Sequence, residues 1–315
     1  MGLSYFCLRT RLCALALVAC TGTVCAAQTV HLPDWACAHP DSIFVGAFEP
    51  GEAMVPSHPS LGSGGATAVN GNVARTVSVA GDGDHTYYLH LPTGYTPTRA
   101  WPLLLALEGA AGSRILALSE AQTVRSDWSA LADASGFVVA VPVASGSQGG
   151  WTEPNPDGSG PSDYDVIAAV LADVASAYNV ERTREYAWGY SAGGEVLYDI
   201  VLTGWDGLDA NSFAGFAVTG AVIAGCPTYS IVASCIPASA ARHIPLDIHA
   251  GTNDSNIPIS YPRSDESAFM SAGWDLGSTL FYTEFSDGNP PGGHTYTTGH
   301  LQQVWQNLCP NAVIP

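Results

Sequence analysis

The chain has 315 residues, enough for one large domain or two small ones, and 47% of them are hydrophobic, which excludes an intrinsically disordered protein. Its 28 acidic residues outnumber its 10 basic ones, and the formal net charge at pH 7 is −18. Because this charge repels nucleic-acid phosphates and anionic lipid headgroups, the composition argues against nucleic acid and membrane surfaces as partners and favours a neutral or weakly charged substrate.

Residues 1–27 are predicted to be an export signal. Arg9 and Arg11 precede a short apolar run, and small residues then offer a cleavage site near residue 26 or 27. The run is too short to span a membrane as a helix, so no transmembrane segment is predicted. We expect a secreted or periplasmic protein; the alternative is a lipoprotein anchored through Cys20, since the residues before it resemble a lipobox.

Cleavage of this signal leaves four cysteines, an even number that suits an oxidising compartment: Cys37, Cys226, Cys235 and Cys309. A bond between Cys226 and Cys235 would close a short loop, and one between Cys37 and Cys309 would join the two ends of the mature chain. We expect these two disulfides, although four cysteines permit three connectivities. Buried free thiols are the alternative.

Residues 28–73 are rich in Gly, Pro, Ser and Ala without periodicity, and they are predicted to form an irregular N-terminal arm. Alternation over residues 74–79 and 86–91, on either side of a Gly/Asp turn, predicts a β-hairpin. A continuous apolar run over residues 102–107 is typical of a strand buried on both faces of a parallel sheet.

Predicted strands and helices alternate beyond this point. Strands are predicted over residues 137–141, 186–188, 216–223, 246–249 and 280–282, and helices over residues 162–178, 193–202 and 300–308. Ser162 and Asp165 form a capping box at the start of the first of these helices. A leading hairpin followed by this alternation predicts an α/β fold: a mostly parallel sheet with helices on both faces, in one domain over residues 74–315.

The pattern G-x-S-x-G occurs once in the chain, at residues 189–193. It follows a short apolar strand and opens a helix, which is the context of a nucleophile elbow. Glycines are expected on both sides of the serine because larger side chains would collide with the neighbouring strand or helix. Ser191 is therefore the predicted nucleophile, and an ordinary Gly-Ser loop is the alternative.

A serine hydroxyl needs a base to act as a nucleophile, and in this fold the acid and then the histidine follow the serine along the chain. His294 lies in a Gly-rich loop after the last predicted strand, where the base is expected. His243 and His249 come too early to follow the acid. His300 begins the final helix and is more typical of a structural or surface residue.

Asp254 is the predicted acid, because it lies just beyond the strand that ends at His249, at the carboxyl edge of the sheet. Asp247 lies inside that strand and is predicted to be structural. The remaining candidates are loop residues: Asp265, Asp275 and Asp287.

Two backbone amides are needed to bind a developing oxyanion. One is expected from Ala192, directly after the nucleophile, and the other from the glycine-rich loop after the first buried strand. In that loop Ala110 is the first choice and Gly109 the second, although a plain glycine turn would have the same composition.

These segments together resemble the secreted polyhydroxybutyrate-depolymerase-like and feruloyl-esterase-like α/β-hydrolases. The similarity covers roughly residues 73–296 and rests on four blocks in order, at residues 102–109, 186–194, 249–254 and 292–296. The resemblance implies the α/β-hydrolase fold, ester hydrolysis through an acyl-enzyme, and neither a cofactor nor a bound metal. It also implies a triad of Ser191, Asp254 and His294.

The chain departs from this family at Glu108, which stands where the family has a histidine before the oxyanion glycine. A carboxylate aimed into the oxyanion hole would oppose an oxyanion, so we expect Glu108 to point away. Fungal tannase-like feruloyl esterases carry cysteines beside the serine and the histidine. Here those positions are Tyr190 and Gly293, which argues against that branch.

The expected substrates are soluble esters: feruloyl or acetyl groups on plant polysaccharide, or short hydroxyalkanoate oligomers. Polymer-degrading members of the family usually carry a linker and a binding module, which is not recognisable after the last predicted helix. Trp151 and Tyr190 are candidate substrate contacts, although Trp151 is equally typical of a rim or core residue. The alternatives are a peptidase or acyltransferase on the same fold, and a non-catalytic polymer-binding homologue, for which Glu108 is the one sequence hint.

Overall fold

Ten strands are found in the described part of the chain, which in this computed structural model comprises residues 27–32, 37, 57–62, 71–155, 159–225 and 235–314. They are β1 (Gln28–His31), β2 (Gly71–Val79), β3 (Gly83–Leu91), β4 (Trp101–Leu107), β5 (Val138–Pro142), β6 (Val180–Tyr190), β7 (Gly215–Thr219), β8 (Leu246–Gly251), β9 (Leu280–Phe285) and β10 (Asn311–Ile314). Eight of them form one sheet in the order β2-β3-β5-β4-β6-β7-β8-β9. The β2–β3 and β3–β5 pairs are antiparallel, and the pairs from β5 to β9 are parallel.

Helices cover both faces of this sheet. They are α1 (Arg114–Ser135), α2 (Asp163–Ala177), α3 (Ala192–Thr203), α4 (Ser260–Ser271) and α5 (Thr298–Leu308). Leu103 and Leu105 of β4 pack in the core shared with α2, α3 and α4, and Leu104 and Ala106 pack in the core shared with α1 and α5. Because alternate side chains of a strand point to opposite faces, two cores explain the continuous apolar run of β4. The predicted α/β architecture with a leading hairpin is confirmed.

Strand β6 is much longer than predicted, with 11 residues in place of the three expected. Its first half is polar, and its polar groups have partners far away in the sequence. Glu181 accepts a hydrogen bond from the backbone amide of His58 (2.8 Å), and the guanidinium of Arg184 donates to the backbone carbonyl of Cys309 (3.5 Å). Burial of these residues depends on distant contacts, so local hydropathy could not show it.

The N-terminal arm is more regular than predicted. Gln28–His31 forms β1, which pairs antiparallel with β10, and the hairpin starts at Gly71 instead of residue 74. The backbone of Ser60 bonds to Val180 at the start of β6 (2.8 Å). Residues 1–26 and most of the remaining arm lie outside the described residues, so the export signal stays a prediction. No helix in the described ranges has the length and apolarity needed to span a membrane.

Helices α1 and α4 were not among the predicted elements. The buried face of α1 consists mainly of small residues, Ala117, Ala121 and Ala132, together with Val124 and Trp128. Alanine gives a weak apolar contrast with its surroundings, so the 22-residue helix shows little periodicity in the sequence. The predicted capping box of α2 is present: the Ser162 side chain accepts from the Asp165 backbone, and the Asp165 side chain accepts from the Ser162 backbone.

The expected disulfide between Cys37 and Cys309 is present and ties the region after β1 to the end of α5. Cys235 is also disulfide-bonded. Cys226, its expected partner, lies outside the described residues, so that pairing stays a prediction.

Candidate active site

Ser191 lies in a sharp turn between β6 and α3. Its backbone has φ 51° and ψ −125°, and a positive φ is costly for a residue with a side chain. The turn brings β6 and α3 so close together that a Cβ on Gly189 would lie 2.6 Å from Cα of Gly194. A Cβ on Gly193 would lie 2.5 Å from the carbonyl oxygen of Glu108. Both glycines of the motif are therefore required by backbone contact, as the sequence predicted.

The structure brings together the three side chains expected to form a triad. Nε2 of His294 lies 2.8 Å from Oγ of Ser191, and Nδ1 of the same ring lies 2.7 Å from Oδ2 of Asp254. The Asp254 side chain is 1% exposed and that of His294 is 16% exposed. The carboxylate is thus shielded from water, while the imidazole and the serine hydroxyl can be reached from outside.

Asp254 is held by the backbone of its own loop. Its Oδ1 accepts hydrogen bonds from the amides of Asn256 and Ile257, both 2.8 Å long, which leaves Oδ2 for His294. The loop of His294 is joined to it, because the amide of Asn253 donates to the carbonyl of Gly292 (2.6 Å). These bonds fix the acid and the base relative to each other before any substrate binds.

Tyr190, a candidate substrate contact, also bonds to the base loop. Its hydroxyl donates to the backbone carbonyl of His294 (2.8 Å), and its ring centroid lies 5.2 Å from that of His294. The ring of Tyr296 packs against that of Tyr190, with 5.0 Å between the two centroids, and the Tyr296 hydroxyl donates to Asp127 (2.8 Å). Tyr190 is half-buried, so a role in substrate contact stays a prediction beside this structural contact.

The three residues expected to supply oxyanion donors lie around Ser191. Ala192 is the first residue of α3, and the first amides of a helix have no acceptor within it. Gly109 packs against the nucleophile, since a Cβ there would lie 3.1 Å from Cβ of Ser191. Ala110 follows, in a loop held by the amide of Ala111, which donates to the carbonyl of Gly149 (2.8 Å). Their role as donors stays a prediction.

Glu108 points away from the nucleophile. Its Oε1 accepts from the amide of Ala144 (2.8 Å), beyond the end of the adjacent strand β5, and the side chain is fully buried. Burial raises the pKa of Glu108 to about 8. Trp151, the other candidate substrate contact, donates its indole N–H to the backbone carbonyl of Glu108 (2.9 Å). It packs against both cores, so a structural role is established and a substrate contact stays a prediction.

The other histidines and aspartates considered from the sequence have different partners. Among the histidines, the ring of His243 lies 4.3 Å from that of Trp274, His249 bonds to Asp247 (3.0 Å), and His300 bonds to Asp287 (2.9 Å) and caps α5. Among the aspartates, Asp265 was wrongly predicted to lie in a loop: it is a buried residue of α4 and accepts from the amide of Ile223 (2.9 Å). Asp275 lies in the turn before β9.

Gly220 is a site residue that the sequence analysis missed. It directly follows β7 and has φ +59°, and β7 itself ends at Thr219, four residues before its predicted end. A Cβ at this position would lie 3.2 Å from Cε1 of His294, so the missing side chain makes room for the base. A glycine after a buried strand was the available signal, but 34 glycines in the chain make it weak.

Comparison with curated proteins gives one relative. No protein-family model matches the chain. A segment of 167 residues is 28% identical to a bifunctional acetylxylan esterase/xylanase of Neocallimastix patriciarum. The matched part is 53% of this chain and 21% of that enzyme, so the chain spans about a fifth of the length of the curated relative.

Solved structures with the same fold include three enzymes of the type that the sequence resembles. An acetyl xylan esterase of Aspergillus awamori matches with a TM-score of 0.54 and 15% identity, over 75% of this chain and 99% of that one. A ferulic acid esterase matches with a TM-score of 0.52 and 18% identity, over 76% of this chain and 96% of that one. The poly(3-hydroxybutyrate) depolymerase LpqC of Bordetella parapertussis matches with a TM-score of 0.51 and 18% identity, over 76% of this chain and 90% of that one.

The chain has the α/β-hydrolase fold, as predicted. Identities this low establish the fold and leave the chemistry open. The dipeptidyl peptidase 4 of Porphyromonas gingivalis also matches, with a TM-score of 0.53 and 17% identity over 76% of this chain and 35% of that one. Ester and peptide hydrolysis must therefore be separated by the site and by experiment.

Proposed function

We propose that this protein is a serine hydrolase that cleaves carboxylic esters, with Ser191 as the nucleophile. One observation carries the proposal: the hydroxyl of Ser191 lies 2.8 Å from Nε2 of His294, whose Nδ1 lies 2.7 Å from Asp254. A hydroxyl becomes nucleophilic when a neutral imidazole can accept its proton and a carboxylate holds the ring in the required tautomer. The strained backbone of Ser191 and the amide-rich start of α3 support the same assignment.

In the proposed mechanism, Oγ of Ser191 attacks the carbonyl carbon of the ester while its proton passes to Nε2 of His294. Asp254 keeps the ring oriented and stabilises its positive charge. The amide of Ala192, with that of Ala110 or Gly109, binds the oxyanion of the tetrahedral intermediate. His294 then protonates the leaving alcohol, and an acyl-enzyme remains on Ser191. Water attacks the acyl carbon while its proton passes to His294, the bond to Oγ breaks, and His294 returns the proton to Ser191 as the acid leaves. No cofactor takes part.

The substrate class we propose is a neutral ester carried by a polysaccharide, with an acetyl or a feruloyl acyl group. The similarity to an acetylxylan esterase supports this choice, and so does the fold shared with acetyl xylan and ferulic acid esterases. The net charge of −18 favours uncharged over anionic substrates. Short hydroxyalkanoate oligomers are the second candidate, supported by the fold shared with a poly(3-hydroxybutyrate) depolymerase.

Labelling with a fluorophosphonate tests the nucleophile. We expect the protein to be labelled, the label to be lost in Ser191→Ala, and ester turnover to fall by about 10⁶-fold in that variant. Ser267→Ala is the matched control, because this serine lies exposed on α4 and its hydroxyl donates to the Arg263 carbonyl of its own helix. Retention of labelling and turnover in Ser191→Ala contradicts the proposal.

A substrate panel tests the chemistry: p-nitrophenyl esters of increasing chain length, methyl ferulate, acetylated xylan, a hydroxybutyrate trimer and a peptide p-nitroanilide. We expect release of acetate from xylan or of ferulate from its methyl ester. Cleavage of the trimer alone selects the second candidate. Cleavage of the peptide without any ester contradicts the proposed function, and absence of labelling favours a non-catalytic binding protein.

We also propose that the protein is exported and that residues 74–315 belong to one catalytic domain. The basic and apolar pattern of residues 1–27 supports export, and the disulfide between Cys37 and Cys309 suits an oxidising compartment. N-terminal sequencing of the protein from the extracellular or periplasmic fraction tests this. A start near residue 27 supports a soluble exported protein, and a lipidated Cys20 supports the lipoprotein alternative.

A further inference from the structure

Glu108 combines complete burial with an incomplete set of partners. It follows β4 directly and precedes Gly109. Its Oε1 accepts from the amide of Ala144, while Oε2 is buried without a hydrogen-bond partner among the described residues. The charged groups that act on it are Asp163 of α2 and Glu120 of α1, both of them acids. An anion at this position would be buried and repelled by two acids, with backbone amides, those of Ala144 and of Glu108 itself, to stabilise it.

The same residue joins the two loops at the candidate oxyanion site. We call residues 108–112 the Gly109 loop and residues 143–152 the Trp151 loop. The Ala144 amide donates to the Glu108 side chain, and the Trp151 indole donates to the Glu108 carbonyl (2.9 Å). A third bond runs from the amide of Ala111 to the carbonyl of Gly149 (2.8 Å). Glu108 supplies the acceptors for two of these three bonds.

The Trp151 loop is itself anchored, so it can serve as a support. Oδ2 of Asp163, at the start of α2, accepts from the amides of Ser145 (2.9 Å) and Thr152 (2.6 Å). The carbonyl of Glu108 also packs against the first turn of α3, where a Cβ on Gly193 would lie 2.5 Å away. Glu108 therefore lies where β4, the Trp151 loop and the nucleophile helix meet.

We propose that Glu108 is a positioning residue that holds the Gly109 loop in place as a neutral, protonated acid. This inference rests on the proposed function, because the loop matters through the oxyanion that it would bind. A protonated carboxyl keeps a carbonyl oxygen for the Ala144 amide and adds no negative charge beside the oxyanion. The shift of the pKa of Glu108 to about 8, caused mainly by burial, agrees with a neutral form at pH 7.

The inference has two consequences for kinetics. As pH rises through about 8, Glu108 loses its proton, the anion opposes the oxyanion, and kcat should fall. Glutamine has nearly the same shape and cannot ionise, so Glu108→Gln should lose this alkaline fall. Alanine removes the acceptor for Ala144 and loosens the loop, so Glu108→Ala should lower kcat by roughly 10- to 100-fold, less than the ~10²–10³-fold of removing an oxyanion donor outright.

The experiment measures kcat and KM from pH 6 to 10 on a p-nitrophenyl ester for the wild type, Glu108→Ala, Glu108→Gln and Glu185→Gln. Glu185 is a buried acid that contacts none of the site residues described above, so its variant controls for loss of a buried carboxyl and should keep the alkaline fall. We expect Glu108→Ala to lower kcat with little change in KM. Glu108→Gln should have a kcat close to that of the wild type at pH 7, and this kcat should stay constant as the pH rises to 10.

Two results overturn the inference: an unchanged alkaline fall in Glu108→Gln, or wild-type kcat and pH profile in Glu108→Ala. If Glu108→Ala fails to fold by circular dichroism, the glutamine profile decides. If the wild type has no esterase activity, the proposed function fails, and infrared difference spectra then decide separately for Glu108. The protonated-carboxyl band lost between pH 7 and 9.5 in the wild type must be diminished in Glu108→Gln, and an identical loss in both contradicts a neutral Glu108.

Discussion

The hydroxyl of Tyr190 donates a 2.8 Å hydrogen bond to the backbone carbonyl of His294. The residue before the nucleophile thus holds the backbone of the predicted base, in addition to the 2.8 Å contact between Ser191 and the imidazole. The sequence offered Tyr190 as a substrate contact, and the structure gives it a second role that links the elbow to the loop of the base.

Replacement of Tyr190 by Phe should lower kcat about 3- to 10-fold with little change in KM. The ring packing stays, and the loss of one hydrogen bond, worth about 0.5–1.5 kcal/mol, lets the His294 loop move. Steady-state kinetics on a p-nitrophenyl ester measure this. Tyr282→Phe is the control, because that hydroxyl contacts Glu284 on the exposed side of β9 (3.1 Å), and its kinetics should match the wild type. Equal kinetics for both variants would show that the contact with His294 is dispensable.

Asp254→Asn should reduce kcat by about 10⁴-fold. An asparagine amide facing Nδ1 favours the imidazole tautomer that cannot accept the proton of Ser191. The comparison variant is Asp275→Asn, the same change at an exposed loop aspartate that was a candidate acid, and it should keep full activity. If kcat falls less than tenfold in Asp254→Asn, or falls strongly in Asp275→Asn, then Asp254 is not the acid of the triad.

Gly193→Ala should abolish activity and destabilise the protein by roughly 1–3 kcal/mol, because its Cβ would lie 2.5 Å from the carbonyl oxygen of Glu108 and 2.7 Å from that of Leu107. Urea unfolding and ester turnover measure the two effects. The matched variant is Gly299→Ala in α5, where the nearest atom is Oγ1 of Thr297 at 3.5 Å. Alanine there should be neutral or stabilise by up to about 1 kcal/mol, with normal activity. Tolerance of both substitutions is the contrary outcome.

Glu185 should make the protein less stable as pH rises from about 4.5 to about 7. Burial raises the pKa of Glu185 from 4.5 to about 7 even though Arg182 lies 3.1 Å away. The folded protein therefore binds more protons than the unfolded chain in this window, and the free energy of unfolding declines as pH increases through it. Glu185→Gln should remove up to about 3 kcal/mol of this decline, measured by urea unfolding at pH 5, 6, 7 and 8.

Glu284→Gln is the control for that series. Arg263 lowers the pKa of Glu284, so the contribution of Glu284 to the free energy of unfolding changes below about pH 4.5. Its replacement should leave the decline of this free energy between pH 5 and 8 unaltered. An identical pH dependence for the wild type and Glu185→Gln would refute the assignment.

Local sequence features were sufficient wherever a constraint acts within a few residues. Capping of α2 needs Ser162 and Asp165 one turn apart, and the elbow needs glycines two positions from Ser191. The apolar run of β4 reports burial on both faces directly. The order serine, aspartate, histidine was also enough to select Asp254 and His294, because the carboxyl ends of parallel strands lie at one edge of the sheet.

Tertiary structure alone decided what depends on contacts between distant segments. The polar half of β6 is buried because His58 and other distant groups form hydrogen bonds with its side chains. Helix α1 has no clear periodic pattern in the sequence because its buried face is mainly alanine. Neither the bond from Tyr190 to His294 nor the environment of Glu108 has a local signature. The sequence by itself determined which side chains carry the proposed chemistry and in what order. Their spacing within hydrogen-bond reach, and the protonation state of a buried acid, depend on which segments fold against them and on the water that this packing removes.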